Sequence, residues 1–357
     1  MSSTNLGSGS RSVDLSTLPV NRLQSYLTML IGHEFDVRSA IRLTAGASNT
    51  MYVVSASDGE ELVLRVPPAV KTSRSAHDIN REFRIMTALR DTAVPHARVH
   101  GLCDDASILG APFMILEKIE GFHLELPMQE PVELRPERVR AMSTEFVDGL
   151  AEIASVDWRA AGLEDFGRPD GFLSRQVNRW LTQLAGYRER DLPHLDVITR
   201  WLDSNRPPDA EPAIMHGDYQ FLNVMFGRSD PEKIVAVVDW EQSTIGDPML
   251  DLGWVLGLWC EAGERSAVSG EDTWITQIAG MPTRTEIAER YATVSGRDVG
   301  ALAYYEVLGL FKLACILEGS YIKSLRNESD IDRHKHFGVV VPRLLEDAAA
   351  IIHGERS

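Results

Sequence analysis

The sequence is short of the features that mark several protein classes. Its 3 cysteines, Cys103, Cys260 and Cys315, lie far apart in apolar surroundings with no CxxC pair. That excludes a disulfide framework and a structural zinc site, and it suits a reducing, cytoplasmic compartment. Basic charge is scarce: 36 Lys+Arg face 52 Asp+Glu, a net of 36 − 52 = −16. Such a chain repels phosphate backbones and anionic lipid, so no nucleic acid and no membrane surface is expected as a partner. There is no long uncharged hydrophobic run either. The most apolar long stretch, 301–325, carries Glu306, Lys312 and Glu318, which would be costly in lipid, and it reads as a buried core helix. The first 12 residues hold five Ser and two Gly and no apolar segment, so they predict a flexible tail rather than a signal peptide. No internal repeat is visible at solenoid periods.

What is present is globular. At 44% hydrophobic and 25% charged over 357 residues, the chain can bury a large core in two lobes. Leu23, Tyr26, Leu27 and Leu30 share one face of a helix that starts near Pro19. The period then changes to that of strands over 41–43, 51–56 and 61–66, joined by a small-polar loop at 45–49 and a turn at Asp58-Gly59. A helix over 78–89 follows, then strand-like segments at 97–102 and 112–116. Beyond Gly121 the chain reads as helical except for one β-rich island over 213–239. The expected order is a tail (1–12), a β-rich N-lobe (13–117), a hinge (118–121) and a mainly helical C-lobe (122–353), an α+β fold.

The chemistry concentrates in the island. It contains His216-Gly217-Asp218, then Asn223, then an apolar strand that ends in Asp239-Trp240-Glu241. Taken singly, these are a turn Asp, a turn Asn and a strand-end Asp, each common in loops. Taken together, a loop that folds back collects three oxygen-bearing side chains, which suits a hard cation such as Mg2+ shared with substrate phosphates. Phosphoryl transfer requires such a set, with a carboxylate for the acceptor hydroxyl plus an amide and a carboxylate on metal.

This island resembles the catalytic segment of the aminoglycoside phosphotransferase family, small-molecule kinases that share the eukaryotic protein kinase fold. His216-Gly217-Asp218 with Asn223 matches the H-G-D-x-x-x-x-N loop of that family, and Asp239-Trp240-Glu241 stands where protein kinases carry D-F-G. The resemblance extends over about 20–350. Within the family, the run from Val238-Asp239-Trp240-Glu241 through Gly246-Asp247-Pro248 to Asp251-Leu252-Gly253-Trp254 resembles a branch that includes kinase-like domains fused to acyl-CoA dehydrogenases. The resemblance implies a bilobal protein-kinase-like fold that uses ATP and Mg2+. Asp218 would be the catalytic base, Asn223 and Asp239 the metal ligands, and His216 and Asp251 supports of the loop.

The N-lobe offers a separate test. Glu82 falls on the same helix face as Ile79, Phe83, Met86 and Leu89, and an acid among core positions needs a cationic partner. Arg65 in the third strand supplies one. In the kinase fold a strand Lys pairs with a helix Glu at these places and holds the nucleotide phosphates. Arg departs from that pattern, although its planar donor fork also suits phosphate and carboxylate. The loop with Ser48 and Asn49 lacks G-x-G-x-x-G, and it is either a phosphate-contacting loop or an ordinary hairpin loop. The segment 116–121 resembles the adenine-binding strand, which implies base contacts from the main chain of Glu117 and Ile119.

Other residues read as structural. Asp247-Pro248 predicts an N-cap followed by proline at the first helical position. His334 and His336, two apart on a helix, diverge onto a solvated face. Trp180, Trp254, Trp259 and Trp274 belong to core or pocket wall. The expectation is therefore a phosphotransferase with an alcohol group as acceptor, a small molecule bound between the island and the helices after Phe172 and Gly300. An aminoglycoside, a hydroxyacyl thioester or another metabolite hydroxyl all fit. The rival from another class is a nucleotide-binding module without turnover, although such a module has no need to keep Asp218.

Overall fold

The structure is a computed structural model, and it describes residues 10–43, 50–67, 78–268, 274–329 and 331–356. In chain order its elements are β1 (Ser10–Ser12), α1 (Val20–Ile31), β2 (Val37–Leu43), β3 (Thr50–Ala56), β4 (Glu61–Val66), α2 (Ile79–Ala88), β5 (Val99–Cys103), α3 (Ala106–Leu109), β6 (Phe113–Glu117) and β7 (Gly121–Phe122). These are followed by α4 (Pro136–Ser155), α5 (Phe172–Ala185), α6 (Leu195–Ser204), β8 (Ala213–Met215), β9 (Val224–Gly227), β10 (Ile234–Val237), β11 (Thr244–Gly246), α7 (Met249–Leu258), α8 (Arg284–Ser295), α9 (Leu302–Leu325) and α10 (Arg333–His353). The chain packs as two compact units. One comprises 1–122, 225–229 and 235–243, and the other comprises 123–224, 230–234 and 244–357.

The first unit is a six-stranded antiparallel sheet in the order β1-β2-β3-β4-β6-β5. The expected meander of β2, β3 and β4 is present, with Val53 opposite Val63 and Ile41 opposite Val53. One expectation fails here: Ser10, Arg11 and Ser12 are not tail, because they pair with Leu43, Arg42 and Ile41 as an edge strand. Helix α1 buries Leu23 and Leu27 against the sheet core of Phe35, Val54, Leu62, Leu64 and Phe113. It ends at Gly32, whose φ of 85° closes the helix in a left-handed cap. Helix α2 starts at Asp78, which accepts hydrogen bonds from the Asn80 and Arg81 amides. Its buried face is Ile79, Glu82, Ile85 and Met86, so Ile85 takes the core position expected of Phe83.

The island divides. Strand β8 pairs with β11 in the second unit, while Gly121 and Phe122 of β7 pair with Gly227 and Phe226 of β9 in the first. A contiguous 122–353 lobe is therefore not how the chain packs, since Asp239 belongs with the first unit. Pairing at short strands set this division, and the linear pattern of apolar residues does not reveal which partner a three-residue strand takes.

The second unit is helical around α7 and α9. Every residue from Met249 to Gly257 of α7 is buried, the mark of a helix surrounded by protein. Helix α9 places Glu318 at 0% and Lys312 at 7% exposure in an otherwise apolar interior. Among the described residues no helix is long and apolar enough to cross a membrane. The start of α7 lies one residue later than expected, at Met249. Asp247 nevertheless acts as its cap, accepting from the Met249 amide at 3.0 Å and from the Tyr305 hydroxyl at 2.7 Å.

Helices α7 and α9 touch through small residues. A Cβ added at Gly253 would lie 2.4 Å from the Tyr305 backbone carbon, a contact that backbone cannot yield to. Gly253→Ala should therefore lower stability by about 1–3 kcal/mol, the scale of overpacking. Gly257→Ala should cost less, because its added Cβ meets Leu310 Cγ at 3.2 Å and the Glu306 carbonyl at 3.3 Å, contacts that ask neighbours to give by only a few tenths of an ångström. Denaturant unfolding of both variants checks the order, and a neutral Gly253→Ala would mean that the two helices are not in backbone contact.

Candidate functional site

In the first unit the functional side chains gather around Arg65. Its Nε lies 2.8 Å from Glu82 Oε2 and its Nη2 donates to Asp239 Oδ1 at 2.9 Å. Arg65 and Glu82 are 8% and 4% exposed. The pairing inferred from an acid on a core face is thus present, and it includes Asp239. Burial works against the Arg65 guanidinium, but Glu82 and Asp239 outweigh it and raise its pKa. Burial also pushes the Glu82 carboxyl up to about 7, with Arg65 pulling it back and Asp239 and Glu241 adding to the rise.

Local structure holds Asp239 in place. The Val237 amide donates to the Pro95 carbonyl at 2.7 Å, and the fully buried Trp240 returns its indole N–H to Val237 O at 3.0 Å. Arg81 of α2 grips the Ser243 carbonyl at 3.0 Å. Between these anchors Asp239 adopts φ 68° and ψ 57°, a left-handed conformation that costs a non-glycine residue energy and persists only where its surroundings enforce it. Its Oδ2 has no partner among the described residues.

The segment 118–120 is tied to the sheet by Lys118, which pairs with Glu61 at 2.5 Å and Glu120 at 2.6 Å. The Glu117 amide is already used by the Arg98 carbonyl at 2.9 Å. Ile119 makes no backbone hydrogen bond to another described residue. Ser48 and Asn49 lie outside the described residues.

In the second unit the loop after β8 carries His216, Asp218 and Asn223. Asp251 of α7 holds its start: Oδ2 accepts from the His216 amide at 2.6 Å and Oδ1 from the Gly217 amide at 3.0 Å. Gly217 then turns with φ 84°, a value that favours glycine. His216 Nδ1 accepts from the Asp218 amide at 3.3 Å, so that nitrogen is an acceptor tied to backbone. Asp218 Oδ2 accepts from Asn223 Nδ2 at 3.1 Å, and Oδ1 accepts from Gln220 Nε2 at 2.9 Å. Asn223 Nδ2 also donates to the Asp218 carbonyl at 2.7 Å. Its amide nitrogen being occupied, Asn223 presents Oδ1.

Aromatic packing carries the loop. Tyr219, fully buried, donates its hydroxyl to Phe146 O at 2.9 Å, and Phe221 stacks on Phe146 with centroids 4.2 Å apart. Burial raises the Asp251 carboxyl to about 6, opposed by the Lys312 charge and the two amide hydrogen bonds. Sequence reasoning missed Gln220 and treated Lys312 only as a charge in a core helix. A lysine amid apolar residues carries the same signal that exposed Glu82, an ionisable group whose burial demands a partner.

Among the described residues, Asn223 Oδ1 in the second unit and Asp239 Oδ2 in the first are each an oxygen with no hydrogen-bond donor, the donor type a hard cation takes. Among the described residues no three His, Cys, Asp or Glu side chains form a metal-binding group.

The Glu82 environment generates a pH dependence. Its folded pKa of about 7 lies above the ordinary carboxylate value of 4.5, so in that window the folded protein keeps a proton that the unfolded chain releases. Stability should fall as pH rises through the window and level off above it. Glu82→Gln does not titrate and should flatten that part of the profile when Tm is followed from acidic to neutral pH. An unchanged profile would show that Glu82 stays ionised beside Arg65 throughout.

Comparison with known proteins identifies the family. Residues 39–287 match the phosphotransferase enzyme family, APH. The chain is 31% identical over 334 residues to acyl-CoA dehydrogenase family member 10 of Mus musculus, covering 92% of this chain but 31% of that protein. It spans less than half the length of the acyl-CoA dehydrogenase relatives it matches. A solved structure from Ralstonia eutropha JMP134, assigned to the aminoglycoside phosphotransferases, superposes with TM-score 0.79 at 25% identity over 94% of this chain and 99% of that one. A thermostable mutant of the aminoglycoside phosphotransferase APH(4)-Ia, solved in a ternary complex with ADP and hygromycin B, shares the fold with TM-score 0.57 at 14% identity, covering 94% of this chain and 99% of that one. The β-rich first unit, the helical second unit and these likenesses bear out the expected kinase-like α+β fold, and the chain belongs to the phosphotransferase enzyme family.

Proposed function

We propose that this protein uses ATP and Mg2+ to phosphorylate a hydroxyl group of a small molecule. The observation that carries the reading is the Asp218 carboxylate, oriented through both oxygens by Asn223 and Gln220 on a loop whose backbone Asp251 clamps. A carboxylate held this way accepts a proton at a fixed point, which is what a general base requires. In the proposed reaction the acceptor oxygen attacks the γ-phosphorus. The bond between that phosphorus and its bridging oxygen breaks, ADP departs, and the hydroxyl proton passes to Asp218. Arg65 would contact α- and β-phosphate oxygens, with Glu82 fixing its orientation. Asn223 Oδ1 and the Asp239 carboxylate would hold Mg2+, which when bound offsets negative charge on the phosphates. The left-handed strain at Asp239 supports this assignment, since strain of that kind gathers at ligand-binding residues. The carbonyl of Glu117 and the backbone of Ile119 would meet the adenine edge, and Ser48 and Asn49 would serve the phosphates.

The complex of APH(4)-Ia with ADP supports nucleotide use, and the −16 net charge suits a polycationic acceptor. The similarity to acyl-CoA dehydrogenase family member 10 favours a second reading of the acceptor alone, a hydroxyacyl thioester.

Two measurements test the proposal. ATP with Mg2+ should raise Tm, because it binds only the folded state, and Asp239→Ala should remove most of the metal-dependent part of that rise. Calorimetry that finds no nucleotide binding in the presence of Mg2+ would refute the reading. Asp218→Asn should lower turnover on an accepted hydroxyl by roughly 10²-fold or more while ATP affinity barely changes. Near wild-type transfer by that variant would remove Asp218 from the role of base.

A further inference from the structure

The Asp218 loop is held from two sides, and only one of them was anticipated. Opposite the Asp251 carboxylate stands Lys312 of α9, 7% exposed, whose Nζ donates a hydrogen bond to the Gly217 carbonyl. The ammonium also sits over the Trp254 ring of α7, 4.4 Å from its centroid, a cation–π contact. Gly217 is thus gripped at both ends of its peptide unit, its N–H by Asp251 and its C=O by Lys312, and the next residue is Asp218. The charges facing Lys312 are Asp251, Asp218 and Arg179; burial lowers its pKa while the two acids work in the other direction. A lysine serving only to fill the core would gain nothing from this burial, because a desolvated ammonium is far costlier than a leucine or methionine of similar volume.

We infer that Lys312 is a positioning residue for phosphoryl transfer: by holding the Gly217 carbonyl opposite the Asp251 clamp it locks the turn that aims Asp218. The inference rests on the role proposed for Asp218, and it assigns Lys312 no contact with substrate. Its effect is to be read in turnover and in the order of the loop, not in nucleotide binding.

The test uses the full chain with ATP and Mg2+ and compares Lys312→Met and Lys312→Arg with wild type. Lys312→Met should lower turnover about tenfold or more while the Kd for ATP shifts by less than about twofold, the pattern of an interaction that matters in the transition state. Lys312→Arg, which keeps the charge, should recover a large part of the loss. In an Asp218→Asn background Lys312→Met should cost less than about twofold further, because groups that act as a unit are non-additive. Amide hydrogen exchange supplies a readout independent of acceptor and activity: exchange should quicken at 216–218 and stay unchanged in α10. Should Lys312→Met fail to fold, Lys312→Gln replaces it with the same expectations. Unchanged turnover and loop exchange, exchange quickened throughout the second unit, or full additivity with Asp218→Asn would each overturn the inference. If wild type transferred no phosphate at all, the proposed function would fail, while exchange confined to 216–218 would still sustain the positioning role of Lys312.

Discussion

The Asp251 carboxylate is the contact on which the second unit's chemistry depends. Two backbone amides, those of His216 and Gly217, converge on its oxygens. A buried carboxylate is expensive unless it is hydrogen-bonded and charge-balanced. The two amides meet the first requirement and Lys312 meets the second. Each partner thereby compensates for the burial of the others. The arrangement is possible only because α7 and α9 approach to backbone contact at Gly253, which brings the acid on one helix and the lysine on the other to the same short loop. The packing of two apolar helices and the placement of the Asp218 carboxylate are one constraint.

The first unit solves a different electrostatic problem. Arg65 lies within reach of Glu82, Asp239 and Glu241, which together raise its pKa against the effect of burial. Glu82 responds with a pKa well above the carboxylate range, and Asp239 remains partly exposed with one oxygen unclaimed. The Asp239 carboxylate is carried on backbone in the left-handed region. Anchors on either side of Asp239, through Pro95 and Ser243, keep that strain from relaxing.

Much of this was legible in the linear sequence for identifiable reasons. The strands β3 and β4 and the helices α1 and α2 follow from apolar period and from caps such as Asp78, which are local properties. Asp218, Asn223 and Asp239 stood out because polar residues at the ends of apolar strands have few structural uses in that combination. Glu82 with Arg65 was legible because burial of an acid predicts a cation. The extra edge strand at Ser10–Ser12 escaped, since three small or charged residues carry no period that marks a strand, and their backbone pairs with Leu43, Arg42 and Ile41. Ile85 rather than Phe83 entered the core because the orientation of α2 on the sheet, not its own amphipathic pattern, selects the buried face.

By itself the sequence determined the types of element, their order and the chemical inventory at 216–241, since these depend on residue identity and near neighbours. Tertiary structure alone decided the rest. Strand pairing assigned β9 and β10 to the first unit and β8 to the second, because short strands choose partners by what the whole chain can bury. Helix packing brought Lys312, 95 residues beyond Gly217, to the carbonyl it holds. No local pattern encodes that contact. It exists because a buried ammonium, a buried carboxylate and a loop's backbone are each too costly to leave unpaired, and only the folded chain can bring them together.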